Sequence, residues 1–226
     1  ERLTGVEGRP GGRFARFADE VAAFPEYYEQ YFSRAMMGGA VAPMVPIVCT
    51  GPISYVGGEA LQMEIDNLKA ALEELGTEEA FMPAVAPSGV GNNEYYSTEE
   101  EYLFAVANAL YTGYRGIVDA GFVLQIDDPF LTGLYGGSSL SASERRKRGE
   151  MYVEAVNHGL RGIPPEKVRF HTCYGINEGP RVHDAPLKDV LEVMLNVNAA
   201  AFSFEAANAR HEHEYHLFET IKLPEG

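Results

Sequence analysis

Cysteine is scarce in this chain: 226 residues hold only Cys49 and Cys173. Two thiols so far apart are no disulfide framework, so the expected compartment is a reducing cytoplasm. Basic residues are also few, with 18 Lys and Arg against 33 Asp and Glu and a net charge of −15. That balance excludes a nucleic-acid surface, because phosphates are met by clustered cations. The one basic run, Arg145 to Arg148 in SERRKRGE, is expected to open a solvated helix. No apolar stretch approaches the roughly 20 residues that cross a bilayer, and no signal peptide is visible, so neither a membrane nor a nucleic acid is expected as a partner. No GxGxxG follows any apolar run, which removes the usual dinucleotide signature.

What the sequence does have is a rhythm. MVPIVCTGPISY (44–55) reads as strand and turn, and the next segment carries Leu61, Ile65, Leu68 and Leu72 at helical spacing. AFMPAVAP (80–87) is the second strand, followed by a Gly/Asn-rich loop read as flexible, with Tyr95 and Tyr96 lining a site mouth. A helix is predicted to start at a capping box of Ser97 and Glu100. GFVLQIDDP (121–129) is the third strand, and the helix after it is closed by Pro164 and Pro165. VRFHTCYG, the helix of APLKDVLEVMLNV, AAAFSFEAAN (199–208) and a helix over HEHEYHLFETI complete the series. Apolar strands each followed by a long helix indicate parallel βα units buried on both faces. A doubly wound sheet and a (β/α)8 barrel both fit. Polar residues gather at the C-terminal strand ends, where barrels carry their sites, so the reading is an α/β fold of (β/α)8 type. Since only four or five strands can be counted, the chain is expected to be the middle of one catalytic barrel domain. Residues 1–43 would form an N-terminal helical and loop segment, and 44–226 the consecutive βα units.

His171 and Cys173 stand at i and i+2 on a strand, so their side chains share one face. Glu205 ends the next strand. Imidazole, thiolate and carboxylate meeting at one point would suit Zn²⁺. The plainer alternative is a core cysteine beside a hydrogen-bonded histidine, and the carboxylate one βα unit later weighs toward metal.

HTCYG, FSFEAAN and LQIDDP, in a chain that also holds TGPISY, FMPAVAP, NEYY and RHEHEY, resemble the cobalamin-independent methionine synthase family. The short single-barrel relatives, which include coenzyme M alkyltransferases, are the most similar. The resemblance runs from about Val45 to Gly226. It implies a zinc-dependent methyl or alkyl transferase of methionine biosynthesis, acting on a thiol such as homocysteine. His171, Cys173 and Glu205 would be zinc ligands, and a fourth, a cysteine of a GTDCG-like strand, is expected beyond Gly226. Asp127 and Asp128 match acids that contact the acceptor, although the family usually reads Asp-Glu-Pro; Asp128 could instead cap a turn before Pro129. The assigned roles are catalysis for Asp127 and His183, the latter as a proton donor, and substrate binding for Asp127, Asp128 and Tyr95. Asp184 reads more simply as a helix N-cap, and His211 and His213 as solvated or substrate-facing. The implied partners are a small thiol acceptor and a methyl donor, either folate, methylcobalamin or a corrinoid protein, with room for a homo-oligomer. The competing readings are a metal-independent lyase of the uroporphyrinogen decarboxylase type and a non-catalytic barrel.

Overall fold

The computed structural model describes residues 2–9, 18–31, 46–73, 75–77, 79–136, 139–175 and 179–223. Its centre is a parallel sheet of β3 (Phe81–Val85), β5 (Val123–Asp127), β6 (Val168–Thr172) and β7 (Ala201–Phe204), hydrogen-bonded in chain order. Between them run α4 (Glu99–Asp119), α5 (Pro129–Gly136), α6 (Ala142–Gly159) and α7 (Leu187–Met194). This alternation of parallel strands and helices is consistent with part of a barrel, and no strand order reverses. No helix among the described residues is long and apolar enough to cross a membrane.

The sheet is two-faced because β6 alternates. Val168, Phe170 and Thr172 are buried, whereas Arg169 and His171 are half-buried. Leu124, Ile126 and Phe170 have no exposed surface and join Val106, Val156, Leu191 and Met194 in the core. Removing one such side chain from water contributes about 1.5–3 kcal/mol. α4 and α6 cross closely at Gly159, where a Cβ would stand 3.1 Å from the Tyr114 ring. The basic run does open α6, and Arg148 reaches across to Glu99 at 2.6 Å. Both partners are over a third exposed, so the bridge contributes well under 1 kcal/mol.

Several expectations shift. β2 (Ile47–Cys49) joins a separate small sheet, antiparallel to β1 (Val6–Gly8) and parallel to β4 (Asn92–Asn93). The first expected βα unit therefore has its helix, α3 (Gly58–Glu73), with Leu61 and Ile65 buried, but its strand is not bonded to the four-stranded sheet. Residues 44 and 45 of that strand, residues 1, 10–17 and 32–43, and the last three residues lie outside the described residues; within 1–43, α1 (Ala18–Ala23) and α2 (Pro25–Gln30) are helical. The cap of α4 is one residue later than predicted: Thr98 accepts from the Glu101 N–H at 3.1 Å, and the Glu101 carboxylate receives the Ser97 N–H. The segment read as a flexible loop is built around Asn93, whose Oδ1 accepts from the N–H groups of Tyr95 and Tyr96. The last predicted helix, Glu212–Glu219, is 3₁₀ rather than α.

Candidate active site at the strand ends

Parallel register puts Val85, Asp127, His171 and Ser203 in one row across the four strands, on the face opposite Phe170. His171 holds Ser203 Oγ at 3.2 Å through Nδ1. Cys173 and Glu205 follow the last paired residues, Thr172 and Phe204, so their backbones sit side by side. Cys173 is half-buried and its carbonyl accepts from the Thr132 hydroxyl. Gly175, at φ 91°, then turns the chain away in a conformation that L side chains resist.

One row deeper, Arg169 and Gln125 face each other. Arg169 Nε donates to Gln125 Oε1 at 2.6 Å, and Gln125 Nε2 donates to Asp127 Oδ1 at 2.7 Å. The guanidinium lies 3.9 Å above the Phe81 ring. An arginine has no acceptor, so it fixes which way round the Gln125 amide sits and hence which group meets Asp127.

Asp128 lies on the other face, only 1% exposed. Its Oδ1 accepts from Ser88 Oγ and from the N–H groups of Phe130 and Leu131, capping α5. Burial pushes its carboxyl up to about 6, against the pull of those three donors. These contacts match the alternative in which Asp128 caps the turn around Pro129, on the face opposite Asp127. Tyr95 is 52% exposed, stacked edge-on against Tyr96, whose hydroxyl receives the Ile53 N–H; both stand by the small sheet. His183 faces Asp19 of α1 at 3.3 Å.

The sequence reading missed a cluster around His211. That imidazole is 4% exposed, with Nδ1 2.7 Å from Glu214 and Nε2 3.0 Å from Asp184. It is buried rather than solvated, while His213 is exposed. Asp184 does not cap α7; Glu214 does, by accepting the Leu187 N–H at 2.8 Å, and Asp184 takes Arg210 Nε at 2.7 Å. The Glu214 spacing of three residues was visible in RHEHEY, but the distant partner Asp184 was not.

His171, Cys173 and Glu205 offer nitrogen, sulfur and oxygen donors, the set that zinc takes, at two neighbouring strand ends. In kind they fit the metal. Their present arrangement does not assemble it: among the described residues no group of three or more His, Cys, Asp or Glu side chains is placed to hold a metal ion. Glu205 is instead engaged by the Tyr174 N–H at 3.1 Å and by Asn208 Nδ2 at 2.5 Å.

No family model matches the chain. A curated methionine synthase of Saccharolobus islandicus is 33% identical over 84 residues, 37% of this chain and 22% of that protein. One of Sulfolobus acidocaldarius is 29% identical over 130 residues, 56% of this chain and 34% of that one. A B12-independent methionine synthase from Shewanella sp. W3-18-1, solved with selenomethionine, aligns over 58% of this chain and 35% of that chain, at 17% identity and a TM-score of 0.42. The chain thus spans about a fifth to a third of the curated proteins it matches. The curated relatives, both named methionine synthases, support over part of the chain the resemblance seen in the sequence.

Proposed function

We propose that the chain is part of the catalytic barrel of a zinc-dependent methyltransferase that delivers a methyl group to a thiol, homocysteine being the first candidate. What supports this is His171 in β6, with Cys173 directly after that strand and Glu205 directly after its neighbour β7, in a chain similar to methionine synthases. His171 and Cys173 would hold the metal, with Glu205 joining once released from the Tyr174 amide and a fourth ligand from outside the described residues. Zinc, when bound, keeps an acceptor sulfur in its thiolate form at neutral pH.

The chain's own residues supply the rest. Asp127, in the same row as His171 and oriented by Gln125, offers an anionic oxygen for the ammonium group of an amino-acid acceptor. Tyr95 is a candidate wall for the donor. His183, held by Asp19, is the candidate to protonate the leaving group; the half-exposed pair keeps its ring oriented and within reach of solvent protons. The donor class is open between a methylated folate, methylcobalamin and a corrinoid protein, and the two-thiol composition supports a reducing cytoplasm.

The test is a methyl-transfer assay of the purified, zinc-supplemented protein with homocysteine, each donor in turn, read as methionine by mass spectrometry. Methionine formed in the presence of zinc and lost with a chelator is the expected result. No product from any donor, with zinc shown to be bound, would overturn the reading.

A further inference from the structure

The groups behind Tyr174 form a closed arrangement. Both ring nitrogens of His211 meet carboxylates, Nδ1 that of Glu214 and Nε2 that of Asp184. Neither contact survives rotation of the ring, which is thus fixed in plane and position. Against it lies the Tyr174 ring, centroids 3.7 Å apart and planes at 9°. Tyr174 follows Cys173, and its N–H is the donor to Glu205 Oε2. Asn208 approaches from the other side: its Oδ1 accepts from the backbone N–H groups of Arg210 and His211, and its Nδ2 donates to Glu205 Oε1. Arg210 adds Nε on Asp184 and stands 3.8 Å from Glu205. Of the two groups that hold the Glu205 carboxylate, Tyr174 is therefore tied to the His211 ring by stacking, while Asn208 is set by the backbone of the same turn.

We propose that His211 is a positioning residue for the strand-end site, fixing Tyr174 and through it the Glu205 carboxylate and the adjoining Cys173. Its meaning for catalysis rests on the zinc-transferase reading above, while the positioning itself does not. Outer partners that orient ligands typically govern metal affinity by ten- to a hundredfold.

The test compares His211→Phe, which keeps a ring but loses both carboxylate contacts, with Tyr174→Leu, which loses the stack and leaves the carboxylates paired. His213→Ala, an exposed neighbour, is the control. Three readouts are taken: Zn²⁺ affinity by competition with a chromophoric chelator, the alkylation rate of Cys173 in metal-free protein by peptide mass spectrometry, and thermal unfolding. The expected result is at least about tenfold weaker zinc binding and faster Cys173 alkylation in Tyr174→Leu, and in His211→Phe if it folds, with His213→Ala at wild-type values. A cooperatively folded Tyr174→Leu with wild-type zinc affinity and alkylation overturns the proposal, since a merely structural residue would move the melt alone. Wild-type protein that binds no zinc would sink the metal reading, and the alkylation rates would then decide the positioning by themselves.

Discussion

Gln125 Nε2 points at Oδ1 of Asp127 across 2.7 Å, and its own amide oxygen is held by Arg169 Nε at 2.6 Å. The three side chains form a line along one sheet face that ends at the row containing His171. An asparagine at 127 would lose the charge an acceptor ammonium needs; a leucine at 125 would leave the carboxylate in place without its donor.

Asp127→Asn and Gln125→Leu are expected to raise the KM for an amino-acid acceptor with zinc content unchanged. The carboxylate–ammonium contact is worth about 1.5–3 kcal/mol, roughly a ten- to hundredfold change for Asp127→Asn, with a smaller change for Gln125→Leu. Steady-state kinetics with zinc analysis check this. Wild-type kinetics in Asp127→Asn would make the line of contacts purely structural.

Asp128 carries a pH signature. Its carboxyl is raised from 3.8 to about 6 in the folded protein, so the folded state binds that proton more tightly than the unfolded chain. Its stabilising contribution is full below about pH 4 and is lost as pH rises through about 6. Asp128→Asn keeps a capping oxygen but does not ionise. The stability difference between variant and wild type should therefore move in the variant's favour between pH 4 and 7, by at most about 3 kcal/mol. Urea unfolding at the two pH values measures it; a pH-independent difference would refute the raised value.

Much of this was legible in the sequence, for physical reasons that also mark where legibility ends. β3, β5, β6 and β7 announce themselves as short apolar runs bounded by Pro, Gly and charge. The capping of α4 slipped by one because Ser97, Thr98, Glu100 and Glu101 offer two overlapping boxes, and the Asn93 turn selects the second. β2 could be read as a strand, but its sheet depends on β1 and β4, three and two residues long, which carry almost no pattern. The His211 cluster joins residues 26 and 27 apart in the chain, and local spacing does not encode such contacts.

The two faces of β6 should separate stability from chemistry. Phe170 is fully buried, so Phe170→Ala is expected to cost about 3–5 kcal/mol. His171 is half-buried with one long contact to Ser203, so His171→Ala should stay within about 1 kcal/mol while losing metal affinity. Chemical unfolding of the two variants side by side decides it, and equal losses would contradict the face assignment.

The two cysteines give the sharpest contrast. Cys49 has no exposed surface, its thiol donates to the Gly51 carbonyl at 3.3 Å, and burial pushes that thiol up. It is a core residue in chemistry as well as place, because a protonated, enclosed thiol neither attacks nor coordinates. Cys173 is half-buried, directly after the last residue of β6, with its carbonyl taking the Thr132 hydroxyl. Cys173→Ser is therefore expected to cut zinc affinity and nearly abolish transfer, since a hydroxyl is a harder and far less acidic ligand than a thiol. Cys49→Ser should keep zinc binding and lower the melting temperature, through a polar group placed in the core. Zinc analysis, a transfer assay and a thermal melt on each variant check both halves. Zinc and turnover retained in Cys173→Ser would remove the thiol from the site and leave the resemblance at HTCYG without its chemistry.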